Sequence, residues 1–104
     1  MRRDERWFRE RVQRALDSLP ADLAGRMENV AIVVRDEHPD DPDLFGLFEE
    51  QPPLPDQITI YRRPLEESFD DPAELEEEIR LTVLHELGHY FGLDEDRLSE
   101  LGYE

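Results

Sequence analysis

Residues Asp70 to Gly92 read DDPAELEEEIRLTVLHELGHYFG, and how this stretch folds decides where the rest of the chain can go. Asp71 suits a helix N-cap, Pro72 the first helical position and Glu74 the first turn. Leu75, Ile79, Thr82 with Val83, and Leu87 recur at helical spacing and predict one buried stripe. Gly92 fits the left-handed position that closes a helix, and DEDRLSELG after it predicts one more short helix, capped by Asp94 or Asp96.

The end of the long helix carries the chemistry. Positions four apart are 400° around an α-helix, so His85 and His89 share a face about 6 Å apart along the axis. Both imidazoles can then reach one tetrahedral zinc ion. Glu86 is turned about 100° from His85, beside such an ion and not on it. A carboxylate there can take a proton from a water whose pKa the metal lowers and return it to a leaving amine. This is the HExxH arrangement of zinc peptidases. In a shuffled chain with 3 His, 16 Glu and 5 Gly, HExxH arises in roughly one case in a hundred, and requiring Gly92 lowers that about twentyfold. A plainer alternative makes His85 and His89 polar residues on the exposed side of an amphipathic helix. A metal needs a third protein ligand. Gly92 lets the chain turn back, which offers Asp94, Glu95 and Asp96. Glu95 ranks first, at the eleventh position of the pattern; Asp94 follows, with a competing role as a cap. Glu100 and Glu104 rank lower, and His38, before Pro39 in an acidic stretch, reads as a solvated side chain.

The 104 residues suit one domain, expected to span 1–104 and act as a monomer, too small for a second lobe walling off a deep cleft. There is no cysteine, so a metal must be held by imidazole and carboxylate, and a cytoplasmic location is expected. MRRDERWFRERV lacks the apolar core of a secretory signal, and VAIVV is far shorter than the roughly 18 residues that span a bilayer. The net charge is −16. Residues 1–14 hold six Arg against three acids, +3, so the remainder carries −19. Asp36 to Asp56 and Glu66 to Glu78 carry eight acids each and no Arg or Lys. Such a field repels phosphate backbones and anionic lipid, so nucleic acid and membranes are excluded as expected partners, and a basic or unfolded polypeptide suits better. A solvated acidic face is the plainer reading of those runs.

Elsewhere, Phe8, Val12, Leu16 and Leu19, with Trp7 and Ala15, predict an amphipathic helix over Arg3 to Ser18, ended by Pro20 and covering a sheet. Val30 to Val34 is a continuous apolar run and reads as the central strand, covered on both faces. His38 to Asp56 holds five of the eight prolines and reads as a long loop, with Leu44, Phe45, Leu47 and Phe48 expected to pack on the body and border the metal helix. QITIYRRP alternates Ile58 and Ile60 with Thr59 and Tyr61 and reads as a half-buried strand ended by Pro64.

NVAIVVRD (29–36), FGLFEE (45–50), PDQITIYRRPL (55–65) and TVLHELGHYFGLDEDRLSELGY (82–103) together resemble the small bacterial zincin-like family, minimal metallopeptidase-fold proteins long carried as a domain of unknown function. The resemblance implies an α+β fold, a minimal zincin-like core with a small mixed sheet packed against the N-terminal helix and the HExxH helix. It implies one Zn2+ on His85 and His89, with Glu86 as general base or acid. The family pattern puts an aspartate where this chain has Glu95. Two functions follow as expectations. One is a zinc-dependent metallopeptidase that pairs an extended peptide or protein segment with an edge strand such as QITIYRR, with Tyr61 or Tyr90 available to an oxyanion or else packing. The other is a non-catalytic zincin-fold binding or regulatory protein that keeps the metal site. An intact Glu86 favours the first.

Overall fold

The computed structural model describes residues 4–102. Asp4 accepts the Trp7 N–H at 2.9 Å and caps helix α1 (Glu5–Asp17), which buries Phe8, Val12 and Ala15. Arg3, where the helix was expected to begin, lies outside the described residues. A four-residue helix, α2 (Ala21–Ala24), follows Pro20; so short an element carries no periodicity by which the sequence could announce it.

Three strands follow: β1 (Val30–Arg35), β2 (Gly46–Glu49) and β3 (Asp56–Tyr61). They form one mixed sheet in the order β1-β3-β2, with β3 parallel to β1 and antiparallel to β2. Three expectations are corrected here. Strand β1 is an edge and not the centre; its apolar run is only partly covered, with Val34 alone buried. The central strand is β3, where Ile58, Thr59, Ile60 and Tyr61 are all buried, so QITIYRR has no free edge to offer a peptide. The stretch from His38 to Asp56 is not all loop, because Gly46 to Glu49 pairs with β3. Its flanking prolines limit it to a short edge strand, the position in a sheet that tolerates them.

Helix α3 (Arg62–Ser68) begins directly after β3 and holds Pro64 in its first turn, where a missing N–H costs nothing. That proline was expected only to end the strand. Helix α4 (Pro72–Tyr90) is the long helix predicted, with the Asp71 carboxylate accepting the Glu74 N–H at 2.9 Å and Leu75, Ile79, Val83, Leu84 and Leu87 buried. Helix α5 (Glu95–Leu101) closes the described chain.

The register sets Ile32 beside Ile58 and Phe48, and Val34 beside Ile60 and Gly46. Alternation puts these six on one face of the sheet, and α1 and α4 cover it. Phe8, Val12, Ile58, Ile60, Leu75, Ile79 and Val83 meet there in one core. The basic α1 is held to the acidic α4 by Glu76, which pairs with Arg11 at 3.3 Å and Arg14 at 3.0 Å. The uneven charge of the sequence is thus partly spent inside the fold. Among the described residues, no helix is long and apolar enough to cross a membrane.

Candidate active site

One turn of α4 brings the Nε2 atoms of His85 and His89 to 3.2 Å, with ring centroids 4.9 Å apart and planes at 81°. Two zinc–nitrogen bonds of about 2.0 to 2.1 Å at a tetrahedral angle separate their nitrogens by about 3.3 to 3.4 Å. The pair therefore fits a shared metal with a shift of a few tenths of an ångström. The same spacing accommodates an N–H···N hydrogen bond, but only if one ring carries its proton on Nε2.

After Tyr90 the chain closes α4 with a Schellman arrangement: Gly92 at φ +74° donates its N–H to His89 O at 3.1 Å, and Leu93 donates to Gly88 O at 2.9 Å. The chain then turns directly into α5. Asp94 is its cap, accepting the Arg97 N–H at 2.8 Å, so this carboxylate serves the helix end. Gly88 sets how closely α5 docks, since a Cβ there would lie 2.1 Å from Leu98 Cδ2. Glu95 is the first residue of α5 and is exposed. Among the described residues, no three His, Asp or Glu side chains gather as a metal-holding group, so Glu95 is not brought together with the two histidines. Glu100 pairs with Arg97 at 3.2 Å, and Glu104 lies outside the described residues.

Glu86 lies beside β2. A Cβ on Gly46 would stand 3.1 Å from Glu86 Cγ, 3.4 Å from its Oε2 and 2.9 Å from Thr82 Cγ2. Burial pushes the Glu86 carboxyl above the ordinary carboxylate range, against the opposing pull of His85 and His89. Such a carboxylate is a better proton acceptor than an exposed one. Gly46 and Thr82 gave no signal as site residues in the sequence, because only the packing of β2 on α4 brings them to Glu86.

A groove of about 390 Å³ opens onto His85 and Glu86. Leu44, Phe45 and Leu81 give it apolar walls, and Asp41, Asp43 and Glu78 line it with acid. The Pro-rich segment therefore borders the helix that carries His85 and Glu86, as expected; of its four apolar residues Phe45 and Phe48 pack against the core and Leu44 lines the groove, while Leu47 joins neither. Among the described residues, no arginine lines the groove; those of α1, α3 and α4 pair with acids elsewhere. His38 is not a simple solvated side chain: its ring meets the Tyr61 ring edge-on at 5.7 Å and its Nδ1 accepts the Asp40 N–H at 3.0 Å. It does not line the groove, nor do Tyr61 and Tyr90. Tyr61 is buried, and burial followed by the charge of Glu49 raises its hydroxyl pKa. Tyr90 donates its hydroxyl to Glu28 O and accepts the Glu28 N–H at 3.2 Å.

Among the described residues, no strand pairs with the outer edge of β2. Tyr61 donates to Phe45 O at 2.8 Å while Gly46 stands opposite Ile60. Gly46 and Ile60 are thus a non-hydrogen-bonded pair, and the N–H and C=O of Gly46 point away from β3 to the free edge; alternation does the same for Phe48.

Residues 27–103 match the model of a family described as Zincin-like metallopeptidase. No curated protein matches the chain.

Proposed function

This chain belongs to the zincin-like metallopeptidase family, and from that premise we propose that it is a zinc-dependent peptidase acting on extended, preferably basic segments of a peptide or protein. The observation that carries the reading is the half-buried carboxylate of Glu86 facing a groove beside the free edge of β2. His85 and His89 would hold one zinc ion, with Glu95, at the eleventh position of the pattern, as the third ligand. When bound, zinc polarises a carbonyl and makes water more acidic. The chain's own residues do the rest. Gly46 and Phe48 pair through their N–H and C=O with an extended backbone, which fixes its direction along the groove. Leu44, Phe45 and Leu81 exclude water from one side. Glu86 takes the proton of the attacking water and delivers it to the leaving nitrogen. Asp41, Asp43 and Glu78 favour a cationic side chain in the groove. The protein works in the cytoplasm as a monomer, without nucleic acid or membrane partners.

A binding or regulatory protein that keeps the zinc is the second reading, favoured by the separation of Glu95 from the two histidines. Cleavage of a peptide library by the wild type and by Glu86→Gln, with zinc measured in both, separates the two. Cleavage lost in a zinc-retaining variant supports the peptidase. Zinc without cleavage in either protein supports the binding role.

A further inference from the structure

We propose that Gly46 is a positioning residue: by lacking a side chain it lets β2 lie against α4 and set the place of the Glu86 carboxylate. The inference rests on the peptidase reading for its catalytic meaning and on packing for its substance. The Glu86 side chain lies along β2, with Cγ 3.1 Å and Oε2 3.4 Å from where a Cβ of residue 46 would stand. Gly46 is a buried strand residue whose missing Cβ would meet Thr82 Cγ2 at 2.9 Å and Glu86 Cγ at 3.1 Å. Both separations are tighter than carbon atoms accept without movement. Thr82 is β-branched and stiff at χ1, and its hydroxyl donates to Glu78 O at 2.8 Å, so it yields poorly. Glu86 has three rotatable bonds and yields first. Added bulk at residue 46 therefore displaces the base before it parts β2 from α4. Nor is a left-handed backbone the reason for this glycine, since positive φ among the described glycines is confined to Gly92 and Gly102.

The test is a double-mutant cycle of Gly46→Ala and Thr82→Ser on the full chain loaded with zinc, because serine removes the Cγ2 atom that blocks the new methyl group. In Gly46→Ala, kcat on a cleaved library peptide is expected to fall at least about tenfold, towards the roughly 10²-fold loss that a 1 Å misplacement brings, with KM and zinc stoichiometry unchanged. In the Thr82→Ser background the loss in kcat is expected to shrink severalfold. NOESY spectra supply a readout independent of turnover: contacts to the Glu86 Hγ protons are expected from the Gly46 Hα protons in the wild type, weak from the new methyl group in the Gly46→Ala variant and strong from that methyl group in the double one. Equal kcat losses in both backgrounds, a change in KM alone, or absence of the wild-type contacts would overturn the proposal. So would unfolding of both variants that carry Gly46→Ala, which would leave Gly46 a packing role only. If the wild type cleaves nothing, the peptidase reading fails, and the contacts still decide whether Gly46 places Glu86.

Discussion

Replacing Gly88 by alanine puts a methyl carbon 2.1 Å from Leu98 Cδ2, 3.3 Å from Cγ and 3.5 Å from Cδ1. Leu98 is fully buried, so its side chain cannot swing into solvent without leaving the core. Two effects oppose each other. Alanine in a helix interior is favoured over glycine by about 0.8 to 1.0 kcal/mol, whereas overpacking a buried contact costs about 1 to 3 kcal/mol, occasionally more. A separation of 2.1 Å lies at the severe end, and a net loss of about 1 to 2 kcal/mol follows. For a chain of 104 residues this lowers the melting temperature by roughly 4 to 16 °C. Removing the obstacle should reverse the sign: in a Leu98→Ala background, itself about 2 to 5 kcal/mol less stable, Gly88→Ala is expected to stabilise by up to about 1 kcal/mol through helix propensity. Urea denaturation followed by circular dichroism, on the wild type, both single variants and the double variant, measures all four corners. If Gly88→Ala stabilises the parent as much as the Leu98→Ala variant, Leu98 does not occupy the notch and the docking of α5 described above is wrong.

His85→Ala or His89→Ala is expected to reduce zinc binding far more than His38→Ala, whose ring rests on Tyr61; equal zinc content in all three purified variants would refute the shared site. Because Asp94 caps α5, Asp94→Asn should change stability by no more than the ~0.5 to 2 kcal/mol of a lost cap, while Glu95→Gln should weaken zinc affinity. Affinity falling for the Asp94 change alone, by calorimetric titration, would move the ligand. Burial raises the Glu86 pKa on folding, so its favourable contribution is present below the ordinary value of 4.5 and is lost as pH rises through the folded value. In the zinc-free protein, Glu86→Gln is therefore expected to melt higher than the wild type at pH 7, and the advantage should vanish below pH 4.5. An unchanged difference across that range, by thermal melts in parallel buffers, would remove burial as the cause.

Helix α4 was legible because its signals are local: Asp71, Pro72, the apolar stripe and Gly92 each act within a few residues. The pairing of His85 with His89 follows from the same periodicity. Strand order was not legible, since it depends on which edges meet across long stretches of chain. The apolar run of β1 suggested a centre, and the alternation of β3 suggested a half-exposed strand. In the fold, Thr59 and Tyr61 of the central strand are both buried, Tyr61 with the His38 ring edge-on to it, so residues that look polar in the pattern occupy the middle of the sheet. Strand β2 was hidden among prolines, and α3 because Pro64 suits both a strand end and a helix start. The site shows the same division. Its histidine pair can be read from four-residue spacing, whereas its steric frame, Gly46 and Thr82 against Glu86, is set by contact between distant segments.

The free edge of β2 raises a question of self-association. An unpaired strand exposes donors and acceptors that a second copy of the same strand can satisfy, which is how many sheets begin to aggregate. Here the strand is only four residues long, and prolines at 42, 52, 53 and 55 interrupt the backbone donors on either side. Two copies approaching along this edge would also bring Asp41, Asp43, Glu49 and Glu50 of each, all exposed, against one another. Like charges brought that close without counterions oppose the docking that the hydrogen bonds would favour. On the proposed reading, then, the edge discriminates by charge before it discriminates by sequence: another molecule of this protein is expected to be turned away, and a strand that carries Lys or Arg to be admitted.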